Sequence, residues 1–445
     1  MAEPIITVSG LRGIVGETLT PEVAIRYATA FAALSPPGPI LITRDSRPSG
    51  HLLAEAIHAG LHAVGRNTFD AGIAATPTAG VLTRAAKAAG AIQITASHNP
   101  SEYNGLKLIS AEGRVIPAGP GQRVLQCYRG SPVAWVRHDR LGALQECPDP
   151  ISAHLDAVLA TVDAPRIRAC SFKVLLDCNA GAGSMLGPRL LEALGCQVTL
   201  LGGHPDGQFA HPPEPTAENL AGVLASVLQS HADVGFCQDP DADRLAVIDA
   251  AGRYLGEEYT LAMCVDHQLR QRRGPIVANC ASSRMSEDLA RCYGVPFVRA
   301  AVGEANVVDA MLSQHAVFGG EGNGGPIDPR VVLIRDSFVG MAQLLDAMAA
   351  RPTSIAALAD ELPRYEIVKT KIPVSADRVP TALDAMERHF ADARSDRLDG
   401  LRLDWSDRWL LVRASNTEPI VRAIAEAPTA AIAEELCAQA RKLLR

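Results

Sequence analysis

No apolar stretch of this 445-residue chain reaches the roughly 18 to 20 residues that a membrane span needs, so nothing in it is expected to cross a bilayer. Aromatic residues are scarce at 4%, no basic run is present and the formal charge is -7. Without a basic stripe or a stacking platform, nucleic acid is excluded as a partner. Ten cysteines stand singly, with no CxxC pair and no Cys/His group at zinc spacing. They are read as reduced small hydrophobes, not as a disulfide framework or a thiolate metal site. The start, Met1-Ala2-Glu3-Pro4, lacks the basic and then apolar pattern of a secretion signal, which predicts a cytoplasmic protein. An anionic ligand would have to be captured by local groups, since the overall field repels it.

What is present is ample material for more than one core: 47% hydrophobic residues and a length that suggests two to four domains. Helical stretches over 21–34, 52–64 and 78–89 alternate with strand-like runs at 40–43, 67–71 and 91–95. The rhythm restarts after Pro150 and again near Arg253, then shortens after Glu366. The expected units are 1–150, 151–252, 253–365 and 366–445, three of α/β type and a small α+β one.

Four loops carry candidate chemistry. Thr95-Ala96-Ser97-His98-Asn99-Pro100 follows a strand and must turn at Asn-Pro, which puts the Ser97 hydroxyl on a loop tip as a nucleophile or as a donor to turn backbone. Asp239-Pro240-Asp241-Ala242-Asp243-Arg244 sets three carboxylates at alternate positions, a pattern suited to a hard cation such as magnesium or calcium. An EF-hand is ruled out, since Arg244 and Ala250 stand where its glycine and glutamate belong. Gly319-Gly320-Glu321-Gly322-Asn323-Gly324-Gly325 offers close backbone approach with an acceptor and an amide for sugar hydroxyls, or is only a flexible turn. Arg413-Ala414-Ser415-Asn416-Thr417-Glu418-Pro419, with Arg422 beyond, is a phosphate cradle or an arginine paired with Glu418. Smaller features each set a cation by a turn: Ser9-Gly10-Leu11-Arg12-Gly13, Arg44-Asp45-Ser46-Arg47 and Asn104-Gly105-Leu106-Lys107. Together these groups make an inventory for phosphoryl transfer on a sugar phosphate.

With its TASHNP-type, DxDxD, GE-containing and R-x-S-x-T-E-P loops in order over essentially the whole chain, the sequence resembles the α-D-phosphohexomutase superfamily. The resemblance implies four domains around a central cleft, three related α/β domains with mixed sheets and a smaller mobile C-terminal α+β domain. It implies that Ser97 is carried as phosphoserine, that its phosphate binds one Mg2+ with Asp239, Asp241 and Asp243, and that Arg12, Lys107 and Arg244 support catalysis. Glu321 and Asn323 would hold the sugar, while Arg413, Ser415, Asn416, Thr417 and Arg422 would grip the distal phosphate. A hexose 1,6-bisphosphate is the implied activator and a small sugar phosphate the partner, acted on by a monomer or homodimer. Gly325 departs from the histidine that many members carry there. The GGEGNGG and SNTEP forms are most similar to an archaeal-type branch usually assigned to glucosamine phosphate, with glucose and mannose phosphates as the alternative.

Overall fold

The computed structural model describes residues 3–7, 10–147, 149–415 and 420–444. Its first helix, Pro21–Leu34, begins where expected: Thr20 accepts the Val23 N–H and Pro21 takes the first turn. Strands Ile40–Arg44, Thr68–Ile73 and Gly90–Ile94 run parallel, joined by the helices Ser49–Ala63 and Thr76–Ala85 because a parallel pair needs a long crossover. Tyr103–Ser110 then returns antiparallel beside Gly90–Ile94, and Gly10–Ile14 and Ile5–Thr7 extend that edge.

The same plan recurs twice. Lys173–Asp177, Gln197–Leu201 and Val234–Gln238 are parallel, with Leu245–Asp249 antiparallel to the last. Ile276–Asn279, Phe297–Ala300 and Phe318–Glu321 are parallel, with Gly325–Ile327 returning. All three sheets are therefore mixed. The serine, aspartate and glycine-rich loops occupy one equivalent place, between a parallel strand and its antiparallel return.

The mixed sheets are as the resemblance implies, but the periodicity does not place these return strands, and they correct the placement of two cations. Arg12 and Lys107 stand on strands instead of beside turns, in the register Arg12↔Gly105 and Gly10↔Lys107. A Cβ at Gly105 would lie 2.4 Å from the Leu11 carbonyl oxygen, so its turn-like composition reflects close packing of strands.

The last unit is a wholly antiparallel sheet, in the order Glu366–Pro373, Ile420–Ala427, Trp409–Ala414, Leu401–Asp404 and Arg394–Asp396. Helices Val379–His389 and Ala430–Leu444 share its core. One continuous hydrophobic core runs through the first three units, from Leu41 to Leu362. Where the fourth meets the third, Trp409, Leu411 and Ile424 pack on Cys280. There the Trp409 indole donates to Glu426 Oε1 at 2.7 Å, and the same oxygen accepts the Arg284 N–H at 3.0 Å. Among the described residues no helix is long and apolar enough to cross a membrane.

Candidate active site

The aspartate loop is shaped by its own carboxylate: Asp239 Oδ1 accepts the N–H groups of Asp243 and Arg244, both at 3.1 Å, which wraps the chain around it. All three aspartates are fully buried, and one ligand oxygen from each lies within 4.8 Å of the others. Thr76, from the first unit, donates to Asp241 Oδ2 at 2.5 Å. Lys107 Nζ reaches Asp241 Oδ2 at 3.1 Å and Asp243 Oδ2 at 2.9 Å. Asp241 Oδ1 and Asp243 Oδ1 are buried with no hydrogen-bond partner among the described residues. Two convergent, partnerless carboxylate oxygens beside Asp239 fit an oxygen-ligated divalent cation.

Burial and the repulsion of Asp241 and Asp243 push the Asp239 carboxyl well above its usual range. Burial alone would raise Asp243 too, but Arg335, Lys107 and Arg244 outweigh it and hold that carboxyl below its usual range. Burial likewise opposes the Lys107 ammonium, and Asp241 and Asp243 more than restore it.

Ser97 enters this cluster from the first unit. Its hydroxyl donates to Asp239 Oδ2 at 2.7 Å, and its backbone sits in the left-handed region at φ 50°. The loop tip is folded into the seam, leaving Ser97 only 1% exposed with its hydroxyl bonded to an acceptor on the second unit. His98 Nδ1 lies 3.4 Å from the same hydroxyl, and Arg244, then burial and Arg12, push this imidazole well below its ordinary value. Arg12 donates to Asn99 Oδ1 at 3.1 Å and so stays beside the serine loop. Arg244 Nε lies 3.9 Å from Asp243 Oδ1.

The glycine-rich loop closes the third side, with the Leu245 N–H bonded to the Gly324 carbonyl at 2.8 Å. Glu321 is buried and accepts from Asn279 Nδ2 at 2.7 Å, the Gly303 N–H at 3.1 Å and Arg335 at 2.8 Å. Asn323 Oδ1 is withdrawn from water with no partner among the described residues. The fourth loop joins this group less directly. Arg413 pairs with Asp399 at 3.0 Å, and Asp399 also accepts the Val302 N–H at 3.0 Å. Arg422 lies directly across the sheet from Arg413 and is exposed. Ser415 donates its N–H to Ile420 at 2.9 Å, whereas Asn416, Thr417 and Glu418 lie outside the described residues.

Arg335 carries no motif, yet its guanidinium binds Asp243 at 2.7 Å and Glu321 at 2.8 Å, joining the aspartate loop to the glycine-rich one. Its backbone N–H donates to Glu304 Oε1 at 2.6 Å. A Cβ at Gly325 would lie 2.4 Å from Arg335 Cδ, so the arginine stem fills the space a side chain there would need.

Glu258 underlies the same loop. Its Oε2 accepts the Ser283 N–H at 2.8 Å, and a Cβ on Gly322 would fall 1.8 Å from that oxygen. Burial pushes the Glu258 carboxyl up to about 8, against Lys369 and the Ser283 N–H, which lower it, with Glu426 and Glu257 raising it further. The folded state therefore binds a proton that the unfolded chain releases above about 4.3. Stability is expected to fall as pH rises from there to about 8 and then to level off on this account. Urea titrations across that window should show a shallower decline for Glu258→Gln than for the parent; parallel curves would refute the assignment.

The sequence matches the phosphoglucomutase/phosphomannomutase alpha/beta/alpha domains I, II and III over residues 5–130, 152–252 and 257–365, and the C-terminal domain over 370–443. A phosphoglucomutase/phosphomannomutase of Thermococcus kodakarensis is 37% identical, covering 98% of this chain and 97% of that protein. A probable phosphoglucosamine mutase of Methanopyrus kandleri is 31% identical, covering 96% and 95%. The crystal structure of a phosphoglucomutase/phosphomannomutase family protein from Burkholderia thailandensis superposes with a TM-score of 0.86 at 26% identity, over 99% of this chain and 97% of that one.

Proposed function

The chain belongs to the phosphoglucomutase/phosphomannomutase family and is a phosphohexomutase of the isomerase class, and from that premise we propose that it interconverts glucosamine 6-phosphate and glucosamine 1-phosphate through a phosphorylated Ser97. The observation that carries the covalent step is the 2.7 Å hydrogen bond from Ser97 Oγ to Asp239, in the seam where three of the loops meet.

In this reading, a free hydroxyl of the sugar phosphate takes the phosphoryl group as the Ser97 Oγ–P bond breaks. The bisphosphate turns around in the cleft, and its other phosphate returns to Ser97, so each turnover leaves the enzyme as it began. Asp239, Asp241 and Asp243, with an oxygen of the serine phosphate, are the groups that would hold one Mg2+. When bound, that ion supplies charge neutralisation and orientation for the phosphoryl oxygens. Arg12, beside the serine loop, and Lys107 and Arg244, against the aspartates, would add positive charge around the transferring phosphoryl group. Glu321 is set by Arg335, Asn279 and Gly303 to accept from a sugar hydroxyl, and Asn323 brings its unpartnered oxygen beside it. Arg413, Ser415, Asn416, Thr417 and Arg422 would grip the distal phosphate. A hexose 1,6-bisphosphate would prime the serine.

The choice of glucosamine is supported by the form of the glycine-rich loop and by the relative from Methanopyrus kandleri. A second reading, broad turnover of glucose and mannose phosphates, is favoured by the relative from Thermococcus kodakarensis. A coupled assay with Mg2+ and a trace of hexose 1,6-bisphosphate separates them by kcat/KM on glucosamine 6-phosphate, glucose 1-phosphate and mannose 1-phosphate. A preference for the amino sugar above about tenfold, some 1.4 kcal/mol of differential transition-state binding, is the expected result. Comparable rates on all three would replace it with the broad reading.

A further inference from the structure

We propose that Arg47, together with Asp45 and Thr95, is a positioning residue that holds Ser97 in its left-handed backbone and thereby aims the serine hydroxyl; this rests on Ser97 being the reacting group. A non-glycine residue at φ 50° is strained and persists only where its surroundings over-determine it. Here they do. Arg47 is 1% exposed and presents five guanidinium N–H donors, each with an acceptor. Two go to the carbonyls of Ser97 at 2.7 Å and Asn99 at 2.6 Å, and two to those of Pro100 at 2.5 Å and Tyr103 at 2.9 Å. The fifth, Nε–H, goes to Asp45 Oδ2 at 3.1 Å.

Asp45 Oδ2 also accepts the Thr95 hydroxyl at 2.7 Å, and that hydroxyl oxygen accepts the Ser97 N–H at 2.9 Å. The peptide plane before Ser97 is thus pinned through its N–H by Thr95, and the one after it through its carbonyl by Arg47. Fixing both planes fixes φ and ψ, and with them the direction of the Cα–Cβ bond. The second unit closes over the device: the Phe209 ring lies 5.1 Å from the guanidinium carbon, and Gly207, at φ 70°, lets the segment approach so near that a Cβ there would fall 2.5 Å from the Ser46 carbonyl oxygen. The unit bearing Asp239 is therefore seated on the same arginine that sets Ser97.

The test is Arg47→Lys, which keeps the charge and loses the fork, read by kinetics and by backbone hydrogen exchange. Since displacement of a reacting group by about 1 Å costs on the order of 100-fold, kcat is expected to fall by about 30-fold or more. KM for the sugar phosphate should stay within about twofold, because the glycine-rich and distal loops are untouched. Exchange should quicken by about tenfold or more over 96–103 and stay unchanged elsewhere. If that variant does not fold, Thr95→Val removes the other pin at constant shape and should reproduce the split at about tenfold. A kcat within about twofold of the parent, unchanged exchange at 96–103, or exchange quickened throughout the first unit with kcat and KM lost together would each overturn the proposal. If the parent itself has no mutase activity, the reaction fails, and exchange over 96–103 still decides whether Arg47 holds the loop.

Discussion

Replacing Ser97 by alanine is expected to lower kcat by about 10^4-fold or more while leaving the fold intact. The effect is large because a double displacement has no second route: without Oγ there is no atom to carry the phosphoryl group between the two ends of the sugar. The structural cost is small by comparison. Alanine carries the same Cβ at φ 50° and so keeps the strain that serine already bears, and Asp239 loses one donor at 2.7 Å, worth about 1 kcal/mol. Binding of a sugar bisphosphate should survive, since the other loops are unchanged. Intact mass after incubation with hexose 1,6-bisphosphate and steady-state turnover check this together. A variant that still turns over at a tenth of the parent rate would sink the phosphoserine mechanism.

Chelation of divalent cations should be nearly as damaging, with kcat falling by about 10^3-fold or more and returning on addition of Mg2+. Charge is the reason. The hydrogen bond that Ser97 gives Asp239 cannot survive phosphorylation, because the esterified oxygen has no proton to donate. A phosphate bearing about two negative charges would then face three buried carboxylates. Lys107, Arg244 and Arg335 offset the aspartates, but they are already committed to Asp241, Asp243 and Glu321. A readout free of turnover is available in the thermal midpoint, which a ligand of the folded state raises with its concentration. Mg2+ should raise it in the parent and far less in Asp241→Asn. Equal shifts in both proteins would place the cation elsewhere.

The site was legible in the sequence to the extent that its residues are neighbours along the chain. Asp239, Asp241 and Asp243 point to a cation site by their spacing, whereas the turn that Asn99 and Pro100 enforce left Ser97 open between a nucleophile and a donor to turn backbone. Arg335, Glu304 and Thr76 gave no such signal, since each acts through partners far off in sequence: Asp243 and Glu321, the Arg335 backbone, and Asp241. Gly325 was visible as a departure, but its cause, the stem of Arg335 at 2.4 Å from the missing Cβ, exists only in three dimensions. The parallel strands and crossover helices followed from apolar periodicity. The return strands did not, because Tyr103–Ser110 carries Asn104, Gly105 and Lys107, a turn-like composition that close pairing with Gly10–Ile14 makes a strand.

The unbroken core from Leu41 to Leu362 also governs how the molecule comes apart. Three sheets that share one apolar interior cannot melt one after another without exposing the surfaces of the rest, so they form a single cooperative body. The last sheet has an interior of its own and meets the third unit through the small Trp409 cluster and a few polar links, such as Asp399 to the Val302 N–H and Arg299 to Asp404, so it forms a separate one. Limited proteolysis should therefore release the final eighty or so residues before it opens anything else, and the serine, aspartate and glycine-rich loops would stay assembled on the fragment that remains.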